Sequence, residues 1–126
     1  FEETNACVKA SFHLYSNKKM TAPDSLTLYG IGSDSIRYKK ARNVQPALIP
    51  LNASEDNCSF VIRINGVNDT ISFNYSTFVH LISKECGYTY YHNLDSVYST
   101  LHNIDSISLN LRNITTLDGT NISIFY

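Results

Sequence analysis

The histidines and cysteines are the residues of this chain whose chemistry is most often catalytic or metal-binding. The four histidines are His13, His80, His92 and His102. None of them belongs to an HxH, HExxH or combined His/Cys cluster, which are the patterns typical of zinc sites. The sequence therefore predicts no metal site and no cofactor.

The three cysteines leave several alternatives open. Cys58 heads a predicted core strand and Cys86 precedes Gly87, so a Cys58–Cys86 disulfide is one interpretation. Because the number is odd, at least one of Cys7, Cys58 and Cys86 lacks a partner within the chain. The other interpretation is that each is a small buried apolar residue. A nucleophilic Cys86 with a distant histidine base is a weaker idea, and no Gly-x-Ser-x-Gly elbow is present. The sequence predicts no catalytic residue and no enzyme.

Four tyrosines stand close together in the second half of the chain and could form an interaction surface. Tyrosine offers contact area with a polar tip, which suits a protein or glycan partner. Packing in the core and between neighbouring strands explains the same residues equally well. The residues are Tyr88, Tyr90, Tyr91 and Tyr98.

Length and charge limit the classes of function. The chain has 126 residues, which is enough for one domain over residues 1–126. Its formal net charge of −1 gives no reason to expect a nucleic-acid partner. The basic run between Arg37 and Arg42 reads as a solvated strand edge. No apolar run approaches the ~20 residues that span a bilayer, so no transmembrane segment is predicted.

These side chains must be positioned by strands, and the clearest predicted strands lie in residues 58–75. Apolar residues alternate with polar ones on both sides of a turn, which is the period of a strand with one buried face. The two runs predict an antiparallel hairpin. The inward-facing residues are Phe60, Ile62, Ile64, Ile71, Phe73 and Tyr75.

Two registers compete for this hairpin. A two-residue turn at Asn65-Gly66 places Ile62 opposite Asp69 on the buried face. A four-residue loop over 66–69 pairs Ile64 with Ile71 and leaves Asp69 in solvent. We favour the longer loop, because a buried carboxylate without partners costs roughly several kcal/mol.

Similar alternation predicts further strands along the chain, eight or nine in all, and turn signals recur about every ten residues. Pro46 and Pro50 bracket a predicted edge strand at 44–51. Residues 78–82 are apolar enough to be a strand close to the core, and 95–101 fit either a strand or a helical turn. The fold class predicted is all-β, an antiparallel β-sandwich of immunoglobulin-like or transthyretin-like type. The other predicted strands cover residues 7–15, 25–31, 36–38, 88–92, 105–112 and 122–126.

Six Asn-X-Ser/Thr triplets exceed the number expected by chance at this composition. The excess favours a glycosylated secreted or viral protein. An Asn- and Ser-rich bacterial chain, however, carries such triplets without their indicating glycosylation. The asparagines are Asn52, Asn57, Asn68, Asn74, Asn113 and Asn121.

Three segments of the chain carry a resemblance to known sequences, and they are Ala22–Gly32, Asn68–Tyr75 and Ser83–Tyr88, while Asn103–Ile107 fits the same pattern. Together they resemble an uncharacterised family of secreted lipoproteins from Bacteroides-type bacteria. The resemblance implies a mature extracytoplasmic domain, anchored at the outer membrane by a lipidated cysteine upstream of Phe1. It implies no activity.

The leading interpretation of the sequence is a non-enzymatic binding or structural module of the bacterial cell envelope. The alternative is a secreted or viral glycoprotein domain that binds a host protein.

Overall fold

Strands are the regular elements that the described residues form, and there are ten of them. The structure is a computed structural model, and it describes residues 6–32, 36–52, 54–83, 87–115 and 119–126, without the side chains of residues 80, 82, 83, 87 and 88. The strands are β1 Cys7–His13, β2 Leu26–Gly30, β3 Ile36–Ala41, β4 Ala47–Pro50, β5 Asn57–Ile64, β6 Val67–Ser83, β7 Gly87–Ser99, β8 Ser106–Leu109, β9 Asn113–Ile114 and β10 Ile122–Phe125.

The strands form two sheets. One has the order β4-β1-β10-β8 and the other β3-β2-β5-β6-β7-β9. Neighbours are antiparallel except β1 and β10, which pair in parallel over 10–13 and 122–125. The predicted all-β sandwich is confirmed, with ten strands in the described residues instead of eight or nine. No helix in the described part of the chain is both long and apolar enough to cross a bilayer.

The core lies between the sheets and consists mainly of alternate residues from β1, β2, β5, β6 and β10. Val8, Ala10 and Phe12 of β1 are buried, as the alternation predicts. Ile122 and Ile124 lie beside them on β10, and the rings of Phe60 and Phe73 meet edge to face with centroids 6.0 Å apart. Burial of one face of each strand is therefore what joins the two layers.

The register of the central hairpin is not the one that the sequence favours. Ile64 pairs with Val67, Ile62 with Asp69 and Phe60 with Ile71, so the loop is the two-residue turn Asn65-Gly66. Both turn residues have positive φ, 51° at Asn65 and 87° at Gly66, as a primed turn requires. The prediction of a four-residue loop was wrong because it assumed that a buried Asp69 would have no hydrogen-bond partners.

Asp69 is buried, with 2 % of its surface exposed, and its carboxylate accepts four hydrogen bonds. One oxygen accepts from the Thr100 hydroxyl and the His102 N–H, both at 2.7 Å. The other accepts from the N–H groups of Asn103 and Ile104, at 2.8 and 3.0 Å. The carboxylate therefore holds the segment after β7 against the sheet.

β6 and β7 are far longer than the five or six residues usual for strands, at 17 and 13 residues. They stay paired from Ile71 and Ser99 to Ser83 and Gly87, with one extra residue in each strand, Asp95 in β7 and Ile82 in β6. The prediction that residues 78–82 lie close to the core is wrong, because Phe78, Val79 and Leu81 are exposed. β5 pairs with β6 only as far as Asn74, so the hairpin arm, which consists of residues 76–83 and 87–91, extends past its neighbour.

The remaining sequence predictions mostly agree with the structure. The proline-bracketed segment is an edge strand, β4, and residues 95–99 are part of β7. β8 is shorter than predicted, and Asn113–Ile114 form a separate strand on the other sheet. The sequence also predicts turns at 83–87 and 115–119, and these lie largely outside the described residues.

Candidate ligand-binding cleft

A cleft of about 490 Å³ lies between the end of β4 in one sheet and β2, β3 and β5 in the other. Ligand sites in proteins are usually concave, of roughly 300–1,000 Å³, and lined by apolar side chains with a few polar groups. This cleft has that size and that character. Its lining residues are Gly30, Ile31, Ile36, Arg37, Pro50, Leu51, Asn52, Cys58, Ser59 and Phe60.

One wall of the cleft is the β2–β3 corner beside the start of β5. Gly30 pairs with Phe60, and the Ile31 N–H donates to the Ser59 carbonyl at 3.0 Å, so the corner stays attached to the sheet. Gly32 then turns the chain at φ 83°, a conformation that glycine adopts without steric cost. Ile31 and Ile36 flank this corner and are 57 % and 52 % exposed. Two large apolar side chains in solvent beside a cleft indicate contact area for a ligand.

The opposite wall is held by side chains of β3 that reach the other sheet. The Leu48 N–H of β4 donates to the Tyr38 hydroxyl at 3.0 Å, and Arg37 Nε donates to the Leu48 carbonyl at 3.1 Å. These bonds join the edge strands of the two sheets and fix Arg37 at the cleft. Arg37 is the one charged residue that lines the cleft among the described residues, and the rest of its guanidinium can bind an anion.

The inner end of the cleft is neutral. The Tyr75 hydroxyl donates to the Asn52 carbonyl at 2.6 Å, and burial raises the pKa of Tyr75 well above its ordinary range. Burial also raises the pKa of the Cys58 thiol, although hydrogen bonds with Tyr75 and Asn52 lower it in part. The thiol is therefore protonated near neutral pH and is a poor nucleophile. The cleft offers an apolar interior with one cation at its rim.

A second polar arrangement, which the sequence did not point out, lies on β1. Ser11 Oγ is 3.0 Å from His13 Nε2, and His13 Nδ1 is 3.3 Å from the Lys18 carbonyl oxygen. The order of groups resembles a nucleophile, a base and an orienting acceptor. Ser11 is only 3 % exposed, however, and its Oγ also lies 3.2 Å from Ser123 Oγ. A substrate has no access to this oxygen, so we interpret the arrangement as a structural network.

The predicted tyrosine surface divides between the two faces of the sheet. All four residues lie on β7. Tyr90 pairs with Val79 and is exposed, whereas Tyr91 pairs with Phe78 on the other face and is half-buried. Tyr98 is exposed and pairs with Ser72, and the side chain of Tyr88 lies outside the described residues. The interaction surface stays a prediction, and the four residues do not form one patch.

The predictions on cysteine and metal chemistry stay open. Cys86 lies outside the described residues, so the Cys58–Cys86 disulfide is untested. No group of three His, Cys, Asp or Glu side chains in the described part of the chain is placed to hold a metal ion. His92 is buried and shares a hydrogen bond with the Thr77 hydroxyl at 2.8 Å, and its burial lowers its pKa. It is a neutral core residue beside Tyr75.

The asparagines of the six triplets differ in accessibility. Asn121 is buried, and its amide nitrogen donates to the carbonyls of Leu111 and Asn113 at 3.1 and 3.0 Å. That nitrogen is the atom to which a glycan is attached, so the folded chain cannot carry one there. Asn74 is half-buried and bonded to Ser96. Asn52, Asn57, Asn68 and Asn113 are exposed.

The fold is a β-sandwich, and it has an apolar, mostly neutral cleft between its sheets. A family model described as a family of unknown function, DUF6452, matches residues 25–126, and the chain belongs to this family. No match was found among curated proteins, and none among solved structures.

Proposed function

We propose that the protein is a non-enzymatic binding module that holds a small amphiphilic anion in the cleft between its sheets. The observation that carries the proposal is the lining itself, because Ile31, Ile36, Leu51 and Phe60 surround a cavity with Arg37 at its rim. The apolar side chains would take the body of the ligand by excluding water from it. The guanidinium would take a carboxylate through charge-assisted hydrogen bonds. A medium-chain fatty acid has this chemistry.

The test is a titration with dodecanoate, followed through the backbone amide signals of the labelled protein. Saturable shifts confined to residues 30–32, 36–37, 51–52 and 58–60 are the expected result. Dodecanol, which has the same chain and no charge, should bind about tenfold more weakly, since a charge-assisted hydrogen bond contributes roughly 1.4 kcal/mol or more.

Arg37→Gln should remove the preference for dodecanoate over dodecanol. Arg63→Gln is the matched control, because Arg63 is an exposed arginine of the same sheet that does not line the cleft. The proposal would be contradicted if dodecanoate caused no saturable shift at the cleft. It would also be contradicted if the wild type and Arg37→Gln preferred dodecanoate over dodecanol to the same degree.

A binding role without catalysis also makes a prediction. A fluorophosphonate probe, which reacts with activated serines, should leave Ser11 unlabelled in the folded protein, because Ser11 Oγ is buried. A trypsin sample serves as the positive control. Stoichiometric labelling at Ser11 would instead identify a hydrolase.

We further propose that the module is exported to the bacterial cell envelope and is held there by a lipid on a cysteine upstream of Phe1. The support is the resemblance of residues 22–32, 68–75, 83–88 and 103–107 to secreted lipoproteins of Bacteroides-type bacteria. Mass spectrometry of the natively expressed precursor should find an acylated cysteine before Phe1. A mass loss on enzymatic deglycosylation would instead favour the secreted or viral glycoprotein, for which Asn121 is already unsuitable as an acceptor.

A further inference from the structure

The hairpin arm leaves one edge of β6 open. The Tyr75 N–H points away from β7 and donates to the Asp56 carbonyl at 2.9 Å. Successive residues of a strand point their backbone groups to opposite sides, so the N–H and C=O groups of Thr77, Val79 and Leu81 point the same way. In the described part of the chain β5 pairs with β6 no further than Asn74, and no other strand takes its place.

This edge lacks the protection that the edge strands β3, β4, β8 and β9 have. β3 carries Arg37, Lys39 and Lys40, β4 ends in Pro50, and β8 and β9 are only four and two residues long. Charges, prolines and short length are the usual means of preventing edge-to-edge pairing. Residues 76–83 contain no Asp, Glu, Lys, Arg or Pro. Their described apolar side chains are exposed, with Val79 at 58 % and Leu81 at 53 %.

We propose that this edge pairs with the same edge of a second copy of the chain, across a two-fold axis at Val79. An antiparallel pair centred there places Val79 opposite Val79 of the other copy and Thr77 opposite Leu81. Each residue whose backbone N–H and C=O groups point to the open edge then lies opposite another such residue. Each such pair exchanges two hydrogen bonds, so three pairs make about six. The two six-stranded sheets become one continuous sheet.

An identical copy suits this edge better than a partner of different chemistry. The segment is uncharged, so a second copy meets no like-charge repulsion and an acidic or basic partner finds no opposite charge. Phe78, Val79 and Leu81 offer roughly 270 Å² of exposed surface in each chain. With the backbone edge included, the two chains bury on the order of 1,000 Å², which reaches the lower limit for a specific interface.

The pairing is tested by sedimentation velocity of the full chain over a range of concentrations. The wild type should shift from monomer to dimer as concentration rises. Val79→Pro removes an N–H that points outward and takes no part in the β6–β7 ladder, so it should weaken dimerisation at least about tenfold. Val79→Lys places a charge at the two-fold axis and should have the same effect without a backbone change.

Leu111→Lys is the matched control, because Leu111 is also exposed and lies away from the arm. It should dimerise like the wild type, and circular dichroism should show that all variants are folded. Amide hydrogen exchange should also slow at Thr77, Val79 and Leu81 as concentration rises. A wild type that stays monomeric at every concentration would overturn the proposal, as would Val79 variants that dimerise as well as Leu111→Lys.

Discussion

Asp69 shows how one buried residue can determine a register. A carboxylate without partners would have favoured the longer hairpin loop, but four donors from residues 100–104 meet it in the fold. Three of these donors are backbone N–H groups, which lie 33 to 35 residues further along the chain. They cannot be anticipated from the local sequence, because they converge on Asp69 only after β7 has paired with β6.

Asp69→Asn should lower the free energy of unfolding by about 2–4 kcal/mol at neutral pH. The amide replaces an accepting oxygen with an NH₂ group that faces other donors, and the buried N–H groups lose their partner. Denaturant titration measures the change. Asp95→Asn is the control, because Asp95 is exposed, and its effect should be small. Equal effects of the two substitutions would show that the buried carboxylate contributes nothing particular.

The pH dependence of stability follows from the same carboxylate. Burial raises the pKa of Asp69, but the four hydrogen bonds lower it by more, so it lies below its ordinary value. A lowered pKa adds stability above the unfolded-state pKa, and this stability is lost as pH falls through the folded-state pKa. The wild type should therefore lose its advantage over Asp69→Asn progressively as the pH falls below the ordinary pKa of aspartate, about 3.9. A difference that stays constant from pH 7 down to pH 2 would contradict this assignment.

At the scale of elements, the turn Asn65-Gly66 sets the hairpin that organises the larger sheet. Gly66 has φ 87°, where a β-branched side chain is strained and asparagine is tolerated. Gly66→Val should cost about 1–2 kcal/mol of unfolding free energy, and Gly66→Asn should cost clearly less. No atom lies within 4 Å of a Cβ built at Gly66, so the difference measures backbone conformation alone. Thermal unfolding of both variants tests it, and equal losses would contradict a strained turn.

Local alternation was sufficient to predict most strands, because burial of one face leaves a period of two in the sequence. It predicted β1, β2, β5 and β10 well. It failed at residues 78–82, where apolar residues line an arm that extends past the opposing strands. Alternation identifies a face as apolar but does not show whether another sheet covers it, since that depends on how far the neighbouring strands extend.

The cleft was not predictable, because its walls come from segments that are distant in sequence. Pro50 indicated an edge strand, but nothing in the sequence placed it beside the β2–β3 corner around one cavity. Arg37 looked like one residue of a solvated basic run. Its position beside the cleft depends on a hydrogen bond to Leu48 of the other sheet, which only the packed sandwich brings within reach.

For the molecule as a whole, the two sheets are linked by a buried polar side chain as well as by the apolar core. Gln45, which is half-buried, only extends the pairing of β4 with β1 inside the four-stranded sheet, where its amide accepts from the Phe12 N–H and donates to the Phe12 carbonyl, both at 2.8 Å. Asn121 is buried beside β10 and makes the link between the sheets. Its side chain accepts from the Lys9 N–H at 2.9 Å and donates to two carbonyls on the segment that crosses to β9. The side-chain amide of Asn121 therefore joins β1 to the segment of chain that crosses from one sheet to the other.

Asn121→Ala should lower the free energy of unfolding by about 2–4 kcal/mol, because it leaves one N–H and two carbonyls without their partner in a buried place. For a chain of this length the midpoint of thermal unfolding should fall by roughly 10 °C. Asn113→Ala is the matched control, since Asn113 belongs to the same type of triplet and is exposed, and its effect should be within about 0.5 kcal/mol. If the two variants unfold alike, the sheets depend on the apolar core alone, and the buried amide is replaceable by any small residue.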